Sequence, residues 1–357
     1  MVSIKNKLRS VVAALALGAL VASPAAGAEP APAATVTTGP VFNDPTGDSA
    51  AELRILRHLV QLVDGAEPQS TIRMSLYLHQ SQWVTDRLVA AHQRGVTVQV
   101  VVDHDSASRA LESLKSGLAA PGGAGSWVRA CKDREACLAK DPGTTAADLR
   151  PQVDDYPHDV QAGRAKVYFF PRAHTDVVVN ILKTVAPAGT AAPCAGNTPR
   201  SATSPGHGTS EGRTRIRIAQ GHITRPEVAE QLWKLADAGC HVDIVYRKLD
   251  NWPLSQAVQT RVADWLTRPT AKGRIALHQL HNDGRGGTGS HTKYLLIEGT
   301  YNGGVDKKIV FTGSHTYTVT ALRYNDETLL KYEDPAVFDA YLANFEAQRA
   351  AAGSEGL

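Results

Sequence analysis

The alternation of apolar and polar positions divides most of the chain into helices and strands. Apolar residues recur at helical spacing between Ser49 and Asp64, which predicts a helix there. The elements that follow are a strand over 71–78, a helix over 83–93 and a strand over 96–103. Because a helix connects the two strands, they form a β-α-β unit, whose parallel strands normally belong to a covered sheet.

The same strand-helix-strand pattern returns in the second half of the chain, as a strand over 214–219, a helix over 226–237 and a strand over 240–246. Thr214 follows Thr71 by 143 residues (214 minus 71), and Gly239 follows Gly95 by 144 (239 minus 95). The near-constant offset predicts an internal duplication and therefore two similar lobes.

The remaining segments differ in character. Residues 117–165 are rich in Gly, Ala, Pro and Asp and predict a long loop, whereas 196–212 has the composition of a linker. Further strands are predicted over 166–170, 274–279, 293–298, 308–312 and 327–332, and helices over 319–323 and 335–350. The pattern as a whole predicts an α/β protein.

Charge changes the interpretation of the N-terminus. The chain has 38 Lys plus Arg against 35 Asp plus Glu, and residues 1–28 contribute Lys5, Lys7 and Arg9 but no acid. The remainder is therefore neutral, with 35 basic (38 minus 3) and 35 acidic side chains. A basic start, a short apolar run and a small-residue end predict a signal peptide cleaved after Ala28, and hence secretion.

Secretion makes disulfides the expected state of the four cysteines. Cys131 and Cys137 are six residues apart in a polar loop, which suits a local bridge. We therefore expect Cys194 to pair with Cys240, the alternative being two free thiols. The cysteines and histidines lack zinc-binding spacing, so neither a metal site nor a cofactor is indicated.

Candidate catalytic residues are concentrated at a few strand ends. His291 and Lys293 are two residues apart at a strand start, so both side chains point to one face. The next strand ends at Gly313 and Ser314, and antiparallel pairing brings Ser314 back near His291. Glu327 begins a further strand and adds a carboxylate.

These residue types suit a phosphate site that contains a nucleophile. Lys293 offers a compact positive charge, and the hydroxyl of Ser314 adds a hydrogen-bond donor. His291 can attack phosphorus if an acceptor holds its other ring nitrogen, and Glu327 is the candidate acceptor. A phosphodiester also requires an acid that protonates the leaving oxygen.

This arrangement resembles the phospholipase D superfamily, whose motif H-x-K-x4-D is followed by G-S-x-N and by a glutamate thirteen residues after the serine. The matching positions are His291, Lys293, Gly313, Ser314 and Glu327. The segments KYLLI, FTGSH, ALRYNDETLL and YFFPR are similar to a group of secreted actinobacterial members. The resemblance covers essentially the whole mature chain and is densest over 214–345.

The resemblance implies metal-independent phosphodiester hydrolysis, with His291 as the nucleophile that becomes a phosphohistidine. It implies that Glu327 orients His291. It also implies that the phosphate is held by Lys293, Gly313, Ser314 and Thr316. The sequence departs from the family pattern at Glu298, where the family has Asp, and at Thr316, where the family has Asn.

A larger departure concerns the first lobe. Family members carry two motifs, and the second histidine supplies the acid, yet no H-x-K stands between about 137 and 166. Three interpretations follow: a homodimer that brings together two copies of His291, a substitute acid from the first lobe, or loss of activity. The candidates for the substitute acid are His158, His79 and His104.

The predicted architecture is two phospholipase D-like lobes, each a mixed sheet flanked by helices, with the first lobe truncated. Its segments are a signal peptide (1–28), a flexible N-terminal arm (29–48), a degenerate lobe (49–195), a linker (196–212) and the lobe with the motif (213–352).

The predicted function is secreted phospholipase D-type hydrolysis of phospholipids, with peripheral membrane contact. The alternatives are a secreted nuclease, less favoured for a neutral chain, and a catalytically impaired protein that binds phosphate or lipid. Arg213, Arg215 and Arg217 alternate along one strand, a pattern typical of a solvated strand face.

Overall fold

The computed structural model describes residues 38–44, 47–131, 137, 160–172, 174–186, 192–204, 206–249, 256–280 and 289–352. The predicted signal peptide, residues 1–28, and the candidate acid His158 lie outside this part of the chain. The helices are α1 (Ser49–Glu52), α2 (Arg54–Asp64), α3 (Gln82–Gln93), α4 (Arg109–Ala119), α5 (Val177–Lys183), α6 (Pro226–Asp237), α7 (Gln256–Thr267), α8 (Val319–Arg323) and α9 (Pro335–Ala351). The strands are β1 (Thr71–Leu76), β2 (Thr97–Val102), β3 (Trp127–Ala130), β4 (Val160–Ala162), β5 (Ala165–Phe169), β6 (Arg215–His222), β7 (His241–Lys248), β8 (Arg274–Gln279), β9 (Lys293–Tyr301), β10 (Gly304–Gly313) and β11 (Thr328–Tyr332).

The first sheet contains β1, β2 and β3 in that order, and all three strands are parallel. Its core is apolar because the inward positions of β2 meet the apolar faces of α3 and α4. The side chains fully buried there include Leu88, Val98, Val100, Leu111 and Leu114.

The second sheet has eight strands in the order β4-β5-β11-β10-β9-β6-β7-β8. Strands β6, β7 and β8 are parallel, and the remaining pairs are antiparallel. Helices α5, α6 and α7 contribute to the larger core on this sheet, whereas Phe338 and Phe345 of α9 belong to a separate core cluster with Tyr294 and Leu296. The prediction of an α/β fold with two sheets flanked by helices is confirmed.

The predicted repetition is visible in the element order. The series β1-α3-β2-α4-β3 is matched by β6-α6-β7-α7-β8. The starts of the first three elements are all 144 residues apart (215 minus 71, 226 minus 82 and 241 minus 97). Gly95 and Gly239 follow the two matched helices with φ of 94° and 110°, a conformation that favours glycine at a helix end.

The large sheet extends to residues that precede the predicted linker. Strands β4 and β5 belong to it, because β5 pairs with β11 from Ala165 to Phe169. Strands from both sides of residues 196–212 therefore belong to one sheet. The division into lobes at this segment stays a prediction. The prediction of one long loop over 117–165 was wrong at the last residues of α4 and at β3 and β4. The two strands were missed because three or four residues carry too little periodicity to be recognised.

The described part of the predicted flexible arm contacts the folded chain. The ring of Phe42 lies edge-on to Tyr341, with 4.9 Å between centroids, and the side chain of Asn43 accepts a hydrogen bond from the N–H of Ile55 (2.9 Å). These contacts attach Phe42 to α9 and Asn43 to α2.

Both predicted disulfides, Cys131–Cys137 and Cys194–Cys240, are present. The second joins two buried residues 46 positions apart, and a cross-link of that span contributes about 4 kcal/mol to stability in the chain-entropy description. The backbone N–H of Cys137 donates to the carboxylate of Asp326 (2.5 Å), which places the first disulfide beside Glu327.

Among the helices that the structure describes, none combines the length and the apolar character that crossing a bilayer requires.

Candidate active site

The candidate residues meet where neighbouring central strands of the large sheet begin or end. Strand β9 begins at Lys293 and lies between β6 and β10. Lys293 pairs with Gln220 of β6, and Tyr294 pairs with Thr312 of β10, next to Gly313. The motif residues on β9 and those at the end of β10 are therefore brought together by hydrogen bonding between adjacent strands.

His291 and Lys293 are in direct contact. The Nζ atom of Lys293 lies 3.2 Å from Nδ1 and 3.4 Å from Nε2 of His291, and it donates to the backbone oxygen of His291 at 2.7 Å. The side chain of His291 is exposed, while Lys293 is half-buried. A phosphate oxygen that binds the ammonium would consequently lie beside the imidazole.

The loop after β10 is fixed to the start of β11. The N–H of Ser314 donates to the oxygen of Thr328, and the N–H of Thr328 donates to Oγ of Ser314, both at 3.1 Å. A Cβ on Gly313 would lie 2.0 Å from the same oxygen of Thr328, so a side chain at this position would push β11 away. Glycine therefore allows the close approach that holds Ser314 in place.

Glu327 lies at the same strand ends, within the loop that leads into β11. Its carboxylate accepts hydrogen bonds from the Ser314 hydroxyl and from Nδ2 of Asn325 (3.3 Å), and it interacts electrostatically with Lys293. The carboxylate of Glu327 thus contacts Ser314 and Asn325 and interacts with Lys293, and its role in orienting His291 stays a prediction.

The protonation states suit nucleophilic attack. Partial desolvation by neighbouring residues of the chain, followed by the charges of Lys293, His222 and Arg247, lowers the pKa of His291 below 6.5, which leaves the ring neutral at neutral pH. Burial lowers the pKa of Lys293 to about 8, against the opposing charge of Glu327. Burial raises the pKa of Glu327 although its hydrogen bonds and Lys293 oppose this shift.

Thr316 and Glu298 have contacts of other kinds. The hydroxyl of Thr316 lies 3.1 Å from that of Thr318, whose side chain caps the N-terminus of α8. Glu298 is completely buried and accepts hydrogen bonds from Arg217 (2.9 Å) and Arg200 (2.7 Å). Glu298 is thus a partner for buried cations, and the contact of Thr316 with a phosphate stays a prediction.

The prediction of a solvated strand face was wrong for Arg217. Its alternation with Arg213 and Arg215 predicted a solvated strand face, but its side chain is only 2% exposed. The guanidinium is tolerated inside because Glu298, on the adjacent strand β9, neutralises it.

The first-lobe histidines have local partners of their own. His79 is buried, and its Nε2 lies 2.6 Å from the hydroxyl of Thr85. By the 144-residue repeat, His79 corresponds to Ile223, a fully buried core residue, which favours a structural role for His79. His104 is 42% exposed, with Nε2 3.9 Å from Asp105.

His315, which follows Ser314, packs against the ring of Phe170 with 4.1 Å between centroids. Burial lowers the pKa of His315 to about 3. It is neutral at neutral pH and does not meet the requirement for an acid there.

Two residues near His291 were not found from the sequence. His222 is the last residue of β6 and Arg247 lies in β7, and the charge of each lowers the pKa of His291. The predicted strand ended at residue 219, and cross-strand register cannot be deduced from periodicity, so no sequence signal connected His222 with His291.

Comparison with known proteins concerns mainly the second half of the chain. Residues 210–349 match the family described as "Cardiolipin synthase, PLD-like domain". None of the curated proteins compared with the chain matches it.

Several solved structures are similar to the chain at low identity. Nuc from Salmonella typhimurium, titled a phospholipase D family member, is 17% identical, with coverage of 53% of this chain and 95% of that one and a TM-score of 0.35. The polyphosphate kinase of Porphyromonas gingivalis is 14% identical, with coverage of 81% and 48% and a TM-score of 0.49. The phosphatidylserine synthase of Haemophilus influenzae is 9% identical, with coverage of 83% of both chains and a TM-score of 0.47.

All three TM-scores are below 0.5, so family membership is argued from the sequence match and not from these structures. The matched segment contains both the H-x-K motif and the Gly-Ser turn. On this basis residues 210–349 form a phospholipase D-like domain.

Proposed function

We propose that this protein is a secreted phospholipase D-type phosphodiesterase that hydrolyses phospholipids through a phosphohistidine at His291. The observation that supports this most strongly is the contact between Lys293 and the ring of His291, at 3.2 and 3.4 Å. A charged ammonium beside a neutral imidazole positions an anionic phosphodiester for attack by nitrogen.

In this mechanism, Lys293 and the Gly313-Ser314 turn bind the non-bridging oxygens of the phosphate. The unprotonated nitrogen of His291 attacks phosphorus, the bond to the alcohol oxygen breaks, and an acid delivers a proton to that oxygen. Water then attacks the phosphohistidine and gives a proton to a base, while the P–N bond breaks and neutral His291 is restored. Glu327 orients the reacting groups, and Thr316 is the remaining candidate donor to the phosphate.

Phospholipid is the proposed substrate because of the resemblance to secreted lipases of this superfamily and the predicted export. The two disulfides are consistent with an oxidising compartment. Cleavage of the signal peptide after Ala28, peripheral membrane contact and a homodimer remain proposals of the same kind.

A direct comparison of substrates tests this proposal. The protein is incubated with phosphatidylcholine vesicles, with choline release as the readout, and separately with supercoiled plasmid, with nicking as the readout. We expect choline release that is unchanged in EDTA, because a histidine nucleophile requires no metal ion. Nicking without choline release would support the nuclease alternative, and absence of both reactions would support a protein that only binds phosphate.

The pH dependence should follow the two shifted groups. On a nitrophenyl ester, whose leaving group needs no acid, activity requires neutral His291 and charged Lys293, so kcat/KM should persist below pH 6.5, where the lowered pKa of His291 keeps it neutral, and fall above about pH 8. Besides Lys293, the groups whose charge acts on His291 are His222 of β6 and Arg247 of β7, and Glu327 acts on Lys293.

Lys293→Arg should shift the alkaline limb upward by more than about one pH unit, because a guanidinium stays protonated. The control is Lys308→Arg. This lysine of β10 pairs with Asp339 of α9, and its replacement should leave the alkaline limb of the pH profile in place. An alkaline limb that is identical in Lys293→Arg and wild type would contradict the assignment to Lys293.

A further inference from the structure

We propose that His222 is the catalytic acid that protonates the leaving oxygen when His291 attacks phosphorus. This inference rests on the proposed function and assigns the proton donor for which the first lobe offers no recognisable motif. It was not among the candidates that the sequence indicated.

The register of the sheet brings the two histidines together. Strand β6 pairs with β9 through Gln220 and Lys293, and the N–H of Gly221 donates to the oxygen of Thr292 at 3.2 Å. Since His222 lies two residues after Gln220 and His291 two residues before Lys293, they stand opposite each other. In a regular antiparallel pair, opposed residues have Cβ atoms about 4.5–5.5 Å apart.

The ring of His291 lies beside strand β6. Its Cδ2 lies 3.9 Å from the position that a Cβ would take on Gly221, so the ring is close to the backbone of β6. Electrostatics agree, because the charge of His222 contributes to the lowered pKa of His291, after burial and Lys293. His222 is also half-buried, which leaves part of its ring accessible to a substrate.

Lys293, the cation in contact with His291, is less suitable as the acid. Displacement at phosphorus is in line, so the leaving oxygen points away from the attacking nitrogen. Lys293 contacts His291 itself, on the side of the nucleophile. An imidazole on the neighbouring strand can reach the opposite side of a bound phosphate.

The proton balance follows from these positions. Protonated His222 gives its N–H proton to the leaving oxygen as the P–O bond breaks, which releases an alcohol and leaves His222 neutral. In the second step, neutral His222 accepts a proton from water as the water oxygen bonds to phosphorus and the P–N bond breaks. His222 is then protonated again, and His291 is neutral.

Two substrates with the same phosphatidyl group test this role. Dihexanoyl phosphatidylcholine releases an alcohol that needs a proton, whereas dihexanoyl phosphatidyl-p-nitrophenol releases a stable phenolate. For His222→Asn and His222→Gln, we expect kcat/KM on the choline ester to fall by about 10²–10⁴-fold, the usual contribution of a general acid, and on the nitrophenyl ester by less than about tenfold. His58→Asn is the matched control, since this partly exposed histidine lies on helix α2 and is not a candidate for the acid.

The possible results are distinguishable. Equal losses on both esters would indicate a structural role, and unchanged kcat/KM on both would mean that another group is the acid. Either result overturns the assignment of His222 while the proposed function stands. If the wild type turns over neither ester and forms no phosphohistidine, the proposed function fails and the inference fails with it. Thermal unfolding of both variants shows whether they remain folded.

Discussion

Replacing His291 with asparagine should lower turnover by about 10⁴-fold or more, because the nucleophile itself is lost and removal of such a group has effects of this size or larger. Asparagine retains polarity and approximate size but has no basic nitrogen. Since the His291 side chain is exposed, the free energy of unfolding should change little. The combination of lost turnover and unchanged stability is the expected signature of a nucleophile.

Trapping provides the decisive measurement. Wild type and His291→Asn are mixed with dihexanoyl phosphatidylcholine and quenched in alkali, which preserves phosphohistidine, and the peptide that contains residue 291 is analysed by mass spectrometry. We expect the phosphatidyl adduct in wild type and in the control His58→Asn, at a histidine of helix α2, and its absence in His291→Asn. Equal turnover in wild type and His291→Asn would exclude the enzyme mechanism, and an adduct on a different histidine would refute the assignment to His291.

Replacing Glu298 with glutamine should destabilise the fold by about 3–5 kcal/mol, because it leaves the buried charge of Arg217 without its main partner. Glu298 is fully buried and Arg217 is 2% exposed, with 2.9 Å between them. The carboxylate of Glu346, 3.9 Å from Arg217, is a weaker substitute. Urea denaturation followed by circular dichroism gives the free energy of unfolding.

The pH dependence of stability should reflect the charge of Glu298. Burial by itself would raise the pKa of Glu298, but the hydrogen bond and charge of Arg217, helped by the N–H of Gly208 and by Arg200, produce a net lowering. The carboxylate therefore stabilises the fold above the unfolded pKa of about 4.5, and this contribution disappears as the pH falls through the lower folded pKa.

Two control variants separate burial from surface charge. Arg200→Ala removes a partner whose side chain is 43% exposed, so a loss of only about 0–1 kcal/mol is expected. Arg217→Met combined with Glu298→Leu removes both buried charges and should recover much of the stability. Equal stability of Glu298→Gln and wild type would show that the pair contributes nothing.

Much of the fold was predictable where side-chain periodicity is strong. The helix over 226–237 and the strand over 274–279 agree with α6 and β8 at both ends, because each has a regular apolar face with clear boundaries. Short elements such as β3 and β4 were missed. Helix α5, with Val177, Val178, Val179, Ile181 and Leu182 all buried, was also missed, since seven residues make only about two turns, too few to show a helical period.

The candidate site was predictable only where its residues lie close together in the sequence. The spacing of His291 and Lys293 places them at one strand start, and the following hairpin brings Gly313 and Ser314 back, so local sequence is sufficient for these four. His222 is 69 residues before His291 (291 minus 222), and its position depends on which strand lies beside β9 and in which register. Residues so far apart are joined by sheet pairing, which short-range patterns do not encode.

By itself, the sequence determined the α/β class, the repeated strand-helix-strand unit, the pairing of the cysteines and the H-x-K and Gly-Ser motif, because each follows from a local side-chain pattern or from the spacing of recognisable residues along the chain. Only the tertiary structure decided that Arg217 is buried against Glu298, that β5 extends the large sheet beside β11, and that His222 stands opposite His291. The physical reason is the same in all three cases: the position of one strand relative to another is fixed by packing and hydrogen bonds between distant segments of the chain.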